Sequence, residues 1–443
     1  MEPIPEKLRV LIVGAGIAGC ASAYFLAKQG HSVTVIERHP GLRTNGLQLD
    51  LRGHGIEVMK LMGLEAAVRA QCVPEEGVAL VDATGKRRAF FAANKTGKGA
   101  QSMTSEFEIM RGDLCRLLCE AADNVGAVFK YGVGVEAYME MGKEVEVRLT
   151  DGRVEKVDLL VGCDGLASRV RRLMDGAGTI IEGKKDTALE EMAEKIAYFT
   201  MEEPQQEGEQ WIMQGCVFPG GKKLGTRRHH ENRIQMYLMW DERPGAGGPL
   251  DKIKRGDVKA EKAAFADLYR GEGWRANDAV KELETGAEDF YCQHTGVVKL
   301  DKWSRGRVTL VGDAGYGHPP DGYGTSCALV GAYVLGGEIE KEFRQTSSTE
   351  SKESLAKNQD PLLAALESYE EVFGPHMKSI VNSYSAAPSM FDNIPWNGFT
   401  IGLMYRVMGT VAYLGLDKLA MKFMPADSGK WKLPVYDTVV DAS

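Results

Sequence analysis

The sequence predicts an α/β protein in which a doubly wound, mostly parallel sheet carries an inserted antiparallel sheet. An apolar run at residues 9–13 ends at a glycine turn, and a helical stretch then leads to a second apolar run at 32–36. This order is typical of the β-α-β unit that opens such a sheet. Two later buried strands, 158–163 and 308–312, each end at a loop that feeds a helix. Between them, residues 178–294 change to strand-like pieces separated by polar, glycine-rich loops.

The first half of the chain continues with alternating helices and strands. A helix is predicted near 53–62, and a strand at 107–110 runs into a helix at 112–124. Apolar residues that alternate with charged ones predict several short strands across 127–163. These elements complete the main sheet and its helices.

The second half is predicted to pass from the inserted sheet to helices. Small residues at 325–340 predict a closely packed helix, residues 342–357 a solvated connector, and Asp360-Pro361 the start of C-terminal helices. Within the inserted segment, four strands and one helix are predicted at 196–201, 210–218, 233–240 and 288–293, and near 258–270.

Composition describes an ordinary globular protein and argues against a nucleic-acid binder. The chain has 443 residues, of which 44% are hydrophobic and 26% charged, so it can form more than one packed lobe. Its net charge is -8, whereas a protein that binds nucleic acid needs a basic face. The basic cluster Arg227, Arg228, His229 and His230 is short, and we interpret it as a solvated turn.

Cysteine spacing and hydropathy predict a cytoplasmic protein without a metal site. The eight cysteines stand apart except Cys115 and Cys119, which share a helix face but are poorly placed to bond each other. No cysteine or histidine spacing matches a zinc site, and scattered thiols fit a reducing compartment. The N-terminus lacks the layout of a signal peptide. Charges interrupt the apolar tail 399–424, so we expect a core or interface helix rather than a transmembrane segment, with peripheral membrane contact as the alternative.

Residues 14–19 form a glycine-rich turn of the kind that binds dinucleotides. Gly14, Gly16 and Gly19 match the pattern GxGxxG, with a strand before them and a helix after. The glycines permit a tight turn and a close approach of the backbone to a pyrophosphate. Glu37 ends the next strand, where a carboxylate can accept hydrogen bonds from ribose hydroxyls. The motif alone does not separate FAD from NAD, and a structural turn without a ligand is the alternative.

Two further motifs separate these cofactors. Residues 158–171 read DLLVGCDGLASRVR, and residues 308–325 read VTLVGDAGYGHPPDGYGT. With the N-terminal turn, they resemble the single-component FAD-dependent monooxygenases of the p-hydroxybenzoate hydroxylase-like family. Within it, the pattern is most similar to the tetracycline-inactivating flavin monooxygenases. The resemblance covers nearly the whole chain to about residue 380 and thins out in the tail.

The resemblance implies a p-hydroxybenzoate hydroxylase-like FAD-binding fold with an inserted substrate lobe. The FAD-binding domain is expected to be discontinuous, and the lobe to be built from two separate segments. The expected parts are FAD-binding segments 1–73, 101–177 and 295–341, lobe segments 74–100 and 178–294, and a polar connector with C-terminal helices at 342–443.

The resemblance also implies contacts with FAD and NAD(P)H. Asp313 is expected to bind a ribityl hydroxyl, and Arg111 the phosphates or the ribityl chain. Asp50 falls where relatives place a carboxylate beside the flavin. Arg43 falls where they hold NADPH, although a surface arginine in a loop is the alternative. The expected cofactor-binding residues are Gly14, Gly16, Gly19, Glu37, Arg38, Arg43, Gly46, Asp50, Arg111, Asp164, Asp313, Gly322, Gly324 and Ser326.

Departures from the family pattern concern the proton path and the substrate. Tyr316 stands where many relatives have histidine, and Cys163 where they have alanine. The flavin carries the chemistry, so no side chain is firmly assigned as catalytic. His318 and Tyr316 are the candidates, and a structural role for His318 is the alternative. The residues expected to line the substrate site, with core packing as the alternative for most, are Phe199, Met213, Met236 and Trp240.

The implied activity is that of an FAD-dependent monooxygenase. NAD(P)H reduces FAD, dioxygen adds to form a C4a-hydroperoxide, and one oxygen atom passes to a small aromatic or polyketide-like substrate by hydroxylation or epoxidation. The setting is secondary metabolism or antibiotic inactivation, and the protein is expected to be a monomer or homodimer. The alternatives are an FAD-dependent oxidase or reductase that inserts no oxygen, and a non-catalytic escort protein of the same fold.

Overall fold

A computed structural model describes most of the chain, and the structural statements below concern these residues. The described ranges are 7–44, 46–94, 104–241, 248–319, 322–347, 360–385, 395–417 and 431–436. The strands are Arg9–Val13 (β1), Ser32–Glu37 (β2), Gln48–Asp50 (β3), Gly77–Val81 (β4), Arg87–Ala92 (β5), Glu108–Met110 (β6), Val128–Tyr131 (β7), Val135–Met141 (β8), Glu144–Leu149 (β9), Val154–Val157 (β10), Leu159–Gly162 (β11), Leu189–Glu202 (β12), Ile212–Val217 (β13), Lys222–His230 (β14), Arg233–Asp241 (β15), Tyr291–Val298 (β16), Ser304–Arg305 (β17) and Val308–Leu310 (β18). The helices are Ile17–Lys28 (α1), His54–Leu61 (α2), Glu65–Gln71 (α3), Arg111–Asn124 (α4), Arg169–Asp175 (α5), Val258–Tyr269 (α6), Ala276–Thr285 (α7), Asp313–Tyr316 (α8), Gly324–Ser347 (α9), Pro361–Ser385 (α10) and Gly398–Leu414 (α11).

The main sheet has the order β17-β18-β11-β1-β2-β7. All neighbours pair in parallel except the edge strand β17. The chain starts at β1 in the middle, adds β2 and β7 on one side, and later adds β11 and β18 on the other. This is a doubly wound sheet, and its central strands are fully buried because both faces are covered.

Helices pack around one part of this core, and a small three-stranded sheet packs against another part. Helix α1 packs against both α4 and α9, and α9 packs against α2 and α10. The meander β8-β9-β10 contributes Tyr138, Val145 and Val147 to the same buried core. Gly336 in α9 lies so close to Phe25 in α1 that an added Cβ would be 2.9 Å from the Phe25 Cβ. The small residues predicted for this helix therefore permit close packing.

The inserted sheet has the order β16-β12-β15-β14-β13-β4-β5. It is antiparallel except where β13 pairs in parallel with β4. Helices α6 and α7 cover one face and form a separate core with it. The opposite face meets the main domain, where Leu47 packs beside Tyr198 and Tyr237. The predicted fold class, with an inserted antiparallel sheet and C-terminal helices, is confirmed.

Several local predictions differ from the structure. The basic cluster at Arg227–His230 is not a solvated turn, because it lies in β14 and the Arg228 side chain is 1% exposed. Helix α7 was not predicted, and β12 begins at Leu189 rather than near 196. Helix α9 runs to Ser347, into the predicted connector, whose remaining residues 348–357 lie outside the described ranges.

The C-terminal apolar segment forms α11, which packs on β5. Ile401 and Tyr405 are buried, whereas Phe399 and Tyr413 are exposed. The Tyr405 hydroxyl donates to the Val81 carbonyl oxygen at 2.7 Å and so ties α11 to the inserted sheet. Within the described ranges, no helix is both long enough and apolar enough to cross a membrane.

Candidate active site

The glycine-rich turn has a geometry that other residues could not adopt. Gly14 has a φ of +105°, and a Cβ on Gly19 would lie 1.8 Å from the Gly14 carbonyl oxygen. Gly16 directly precedes α1, and no side chain caps that helix. The first N–H groups of α1 are therefore open to an anion such as a pyrophosphate.

Glu37 lies directly beside this turn. Its carboxylate accepts the N–H of Ala15 at 3.0 Å and the N–H of His39 at 2.9 Å. A carboxylate has about four acceptor positions, so capacity remains for further hydroxyl donors. The neighbouring Arg38 is exposed, and its Cβ lies 3.7 Å from the Cβ position of Gly134.

Arg111 brings α4 to the same turn. Its guanidinium lies 3.7 Å from the Cβ position of Gly16, and its Nη1 donates to the Arg43 carbonyl oxygen at 3.5 Å. Gly46 has a φ of +145°, and a Cβ there would lie 2.9 Å from the Arg111 Cδ. Arg43 and Gly46 therefore both lie against the Arg111 side chain, next to the turn.

Asp313 is the first residue of α8, and with Arg111, His318 and the glycine-rich turn it lines the site that we call the cleft. Its side chain is exposed to solvent, yet desolvation by surrounding protein raises the pKa of its carboxyl above the usual range. The charges of His318 and Arg111 oppose that shift, so both lie near it. A Cβ on Gly324 would lie 4.0 Å from the Asp313 Oδ1 and 3.9 Å from the His318 Nε2. Within the described residues, no hydrogen bond reaches the Asp313 carboxylate.

The far end of the cleft joins β3 to the start of α9. Asp50 forms an ion pair with Arg52, and Gly322, at a φ of +88°, would place a Cβ 3.2 Å from the Asp50 Oδ1. The Ser326 hydroxyl accepts the Arg52 N–H at 2.9 Å. The structure thus brings together the predicted residues of the N-terminal turn, Arg111, Asp313 and the loop that precedes α9.

Two predicted residues have other surroundings. The Asp164 carboxylate accepts the Ser168 hydroxyl at 2.5 Å and the Arg169 N–H at 2.6 Å, so it holds the start of α5. Any cofactor contact there falls to its backbone, which lies next to Gly14. Tyr316 is 4% exposed and packs against Trp303 in an aromatic core. This position favours a structural role for Tyr316 over a catalytic one.

The predicted substrate residues divide between the two faces of the inserted sheet. Phe199 and Met236 are paired across β12 and β15 and are buried in the core beneath α6 and α7, where Trp240 also packs. Their position favours the alternative of core packing for these three residues. Met213 pairs with Arg227 and lies on the other face. Side chains of that face that meet the main domain are Ile196, Tyr198, Tyr237, Met239 and Tyr291.

A buried charged network at the junction of the two sheets was missed by the sequence analysis. Arg227 donates to both oxygens of Glu75 at 2.7 and 2.8 Å and lies 3.2 Å from Glu108. Gln48 donates to the same two carboxylates at 2.9 and 3.2 Å. Both carboxylate side chains are 2% exposed. The partners come from distant segments, so no local pattern could have revealed them.

The network should make stability depend on pH. Desolvation raises the pKa of Glu108 from 4.5 to about 6. Attraction to Arg227 lowers this pKa, and repulsion from Glu75 raises it further. The folded protein therefore keeps a proton that the unfolded chain loses, and the resulting stability is present below about pH 4 and lost as pH rises through 6. That shift corresponds to a free energy of unfolding on the order of 2 kcal/mol.

The variant Glu108→Gln tests this expectation, because it stays neutral at every pH. Denaturant unfolding of both proteins should show wild type losing about 2 kcal/mol relative to the variant between about pH 4 and 7. A difference that stays constant over this range would contradict the assignment to Glu108.

A mixed group of possible metal ligands lies apart from the cleft. Glu261, Cys292 and His294 place ligand atoms within 4.8 Å of one another. The Glu261 Oε1 accepts the Gly256 N–H at 3.0 Å and lies 3.6 Å from the His294 Nε2. Desolvation raises the pKa of Cys292 to about 12, which keeps the thiol protonated. We therefore interpret these three side chains as part of the core beneath α6 rather than as a metal site.

Known proteins resemble this chain over nearly its whole length. Residues 7–354 match the family model described as an FAD binding domain. The FAD-dependent monooxygenase asL4 of Sarocladium schorii is 41% identical over 432 residues, which are 97% of this chain and 98% of the relative. The flavin-dependent monooxygenase eupH of a Phoma species is 35% identical, with 97% of this chain and 98% of the relative covered.

A solved structure has the same fold. The tetracycline destructase Tet(55) matches with a TM-score of 0.71 and 26% identity, covering 98% of this chain and 100% of that protein. The predicted likeness to tetracycline-inactivating enzymes is thereby confirmed. FAD is the cofactor, and the alternative of a non-catalytic escort protein is not supported. The chain belongs to the FAD-dependent monooxygenases of the p-hydroxybenzoate hydroxylase-like family.

Proposed function

We propose that this enzyme uses NAD(P)H and dioxygen to hydroxylate or epoxidise a small aromatic or polyketide-like substrate. The main support is the meeting of distant segments at one cleft: the turn at 14–19, the start of α4 at Arg111, and residues 313–319 and 322–324. Arg43 contacts Arg111 in this cleft, and Gly46 accepts a hydrogen bond from Gln235 of the inserted sheet. A nucleotide can therefore lie along the loops while a substrate lies against the sheet.

The residues of the cleft fit FAD. The uncapped N-terminus of α1 and the Arg111 guanidinium supply hydrogen-bond donors and positive charge for the pyrophosphate. Glu37 is placed to accept ribose hydroxyls. Asp313 is a solvent-exposed carboxylate without a hydrogen bond among the described residues, and a ribityl hydroxyl would satisfy it. We therefore assign Glu37 to the ribose of FAD, Arg111 to the pyrophosphate and Asp313 to the ribityl chain.

The flavin end is assigned to the start of α9. Gly322 and Gly324 leave room for close approach of a ring, beside Asp50. When bound, FAD supplies the redox chemistry and the activation of dioxygen. The N-terminus of α9 stabilises negative charge there by about 0.3–1 kcal/mol. His318 is the candidate for moving a proton at its Nε2.

Arg43 is proposed to position NAD(P)H at the mouth of the cleft. Its guanidinium lies over the Tyr291 ring, 5.1 Å from the ring centre. This contact links the loop after β2 to the inserted sheet, so the arginine lies between the nucleotide loops and the substrate face. An arginine held in this way offers donors to a phosphate or carboxamide.

The substrate is proposed to bind where the face of the inserted sheet opposite α6 and α7 meets the main domain. Tyr198 and Tyr237 pack edge to face, with ring centres 5.2 Å apart, and Met239 lies next to them. Tyr198 and Tyr237 are themselves buried, so we assign the substrate to the partly exposed Met239 and Tyr291 beside them, whose thioether and ring suit an apolar aromatic ligand. The name of one structural relative includes tetracycline, a polyketide, so we include antibiotic inactivation beside secondary metabolism as a role.

The cellular location is proposed to be the cytoplasm. All eight cysteines are free. Free thiols persist in reducing compartments, and structural disulfides are common in oxidising ones.

Labelled dioxygen tests the proposed reaction. Purified enzyme would be incubated with NADH or NADPH and a panel of aromatic polyketides under heavy-oxygen gas. We expect a substrate that accelerates NAD(P)H oxidation and yields a product with one labelled oxygen. Accelerated oxidation with hydrogen peroxide but no labelled product from any substrate would favour the oxidase or reductase alternative instead.

Neighbouring residues of β15 test where the substrate binds. Met239 lies partly buried on the face of the sheet that meets the main domain, whereas Leu238 is 0% exposed beneath the helices. Met239→Ala should raise KM and divert NAD(P)H oxidation from product to hydrogen peroxide, because the pocket excludes water less well. The control Leu238→Val should lower stability by roughly 1 kcal/mol and leave the product-to-peroxide ratio unchanged. Equal ratios in both variants would place the substrate elsewhere.

A further inference from the structure

The backbone around Leu47 is held from two sides. On one side, the Arg111 N–H at the start of α4 donates to the Leu47 carbonyl oxygen at 2.9 Å. On the other side, Gln235 of β15 donates from its Nε2 to the Gly46 carbonyl oxygen at 3.0 Å and accepts the Gln48 N–H on its Oε1 at 3.2 Å. The main domain and the inserted sheet therefore hold the same three residues.

The Gln235 side chain is itself fixed in the inserted sheet. The residue is 2% exposed, and the Tyr237 hydroxyl donates to its Oε1 at 2.7 Å. Gln235 pairs with Thr200 of β12 and with Arg227 of β14, the arginine of the buried charged network. A primary amide offers both a donor and an acceptor. An ionised glutamate lacks the donor and an apolar side chain lacks both, so the two backbone contacts require an amide.

The backbone that Gln235 holds lies directly against the Arg111 side chain. A Cβ on Gly46 would lie 2.9 Å from the Arg111 Cδ and 3.3 Å from its Cβ. The Arg111 guanidinium in turn lies 3.7 Å from the Cβ position of Gly16 in the glycine-rich turn. The place of the arginine beside that turn is therefore limited by backbone that the inserted sheet fixes.

We propose that Gln235 is a positioning residue for FAD, which fixes the backbone around Leu47 so that Arg111 is held where the pyrophosphate binds. With both hydrogen bonds in place, FAD binding does not have to order this backbone, and such preorganisation raises affinity. Without them, the Gly46 carbonyl and the Gln48 N–H lose their partners, and the backbone beside Arg111 can shift. This role rests on the assignment of Arg111 to the pyrophosphate under the proposed function.

Titration of apoproteins with FAD tests this role. Gln235→Met removes the amide and keeps an unbranched side chain of similar length. The matched control is Gln293→Met, because Gln293 lies on the same face and its hydrogen bond to the Tyr198 hydroxyl, at 2.9 Å, stays within the inserted sheet. We expect the FAD dissociation constant to rise about 3- to 10-fold in Gln235→Met and to stay within about twofold of wild type in the control.

Hydrogen exchange separates positioning from a general loss of stability in the inserted sheet. In apo Gln235→Met, the Gln48 amide should exchange faster than in wild type, because its acceptor is gone, while the amides of α6 and α7 keep their protection. Mass spectrometry of peptides from the exchanged protein measures both regions. Unchanged exchange at Gln48, or equal loss of protection in α6 and α7, would overturn the positioning role.

A double-mutant cycle tests whether Gln235 acts through Arg111. Arg111→Ala alone should weaken FAD binding, and adding Gln235→Met to it should weaken binding by a smaller factor than in wild type. Unchanged FAD affinity in Arg111→Ala would overturn both the proposed cofactor site and the role of Gln235. If Arg111→Ala weakens binding but Gln235→Met matches Gln293→Met, or if the two losses multiply in full, the site stands and the role of Gln235 is overturned.

Discussion

Asp313→Ala should yield a protein that purifies without its yellow cofactor. The carboxylate lies in the cleft near Arg111 and has no hydrogen bond among the described residues, so its assigned partner is a hydroxyl of FAD. A hydrogen bond to a charged group contributes about 1.5–3 kcal/mol, which corresponds to roughly a 10- to 150-fold weaker affinity. The measurement is the flavin absorbance per protein, followed by titration of the apoprotein with FAD.

Stability and a closer variant separate loss of binding from loss of folding. Desolvation disfavours the Asp313 carboxylate in the protein without cofactor. The apo form of Asp313→Ala should therefore unfold no more easily than wild-type apoprotein. Asp313→Asn keeps a hydrogen-bond acceptor of the same size and should retain more FAD than the alanine variant. Stoichiometric FAD in Asp313→Ala would remove this residue from the site.

Arg227→Ala should lower the free energy of unfolding by about 3–5 kcal/mol, because it leaves the buried Glu75 and Glu108 without their cation. Arg227 is 12% exposed on its side chain, and each carboxylate is 2% exposed, so solvent cannot replace the lost contacts well. Denaturant unfolding at neutral pH would measure the loss. The loss should shrink at lower pH, where the carboxylates take up protons.

Two comparisons identify the cause of this loss. Arg148→Ala removes an exposed pair with Glu136, 3.9 Å apart and with side chains 60% and 51% exposed, and should cost less than about 1 kcal/mol. Adding Glu75→Gln and Glu108→Gln to Arg227→Ala should recover part of the stability, since two buried charges are removed. A similar loss for both arginine variants, or no recovery, would show that burial of charge is not the reason.

Local order along the chain determined most of the fold. The glycine turn, the strand before Asp164 and the strand before Asp313 each depend on residues that follow one another directly. Their periodicity and glycines could therefore be interpreted without knowing the partners. The same reasoning placed α1, α4 and α6 close to their observed bounds. Helix α7 was missed although its four buried residues, Ala276, Ala279, Val280 and Leu283, follow helical spacing.

The tertiary structure decided which face of the inserted sheet is covered by helices and which meets the main domain. Alternation along β15 correctly placed Met236 and Trp240 on one face of the strand and Tyr237 and Met239 on the other. It does not indicate which of the two faces is covered by helices. Helices α6 and α7 cover the first set, and the segment that contains Leu47 approaches the second. The structure favours core packing over substrate contact for Phe199, Met236 and Trp240, a choice that depends on which distant segment covers which face.

By itself, the sequence determined the order of strands, turns and helices and, through three local motifs, the likeness to flavin monooxygenases. Tertiary structure alone decided which polar groups are paired. Arg227 and Glu75, which form an ion pair, are 152 residues apart in the chain. The physical reason is that periodicity and turn chemistry act between near neighbours, whereas desolvation and charge pairing depend on what folding brings together.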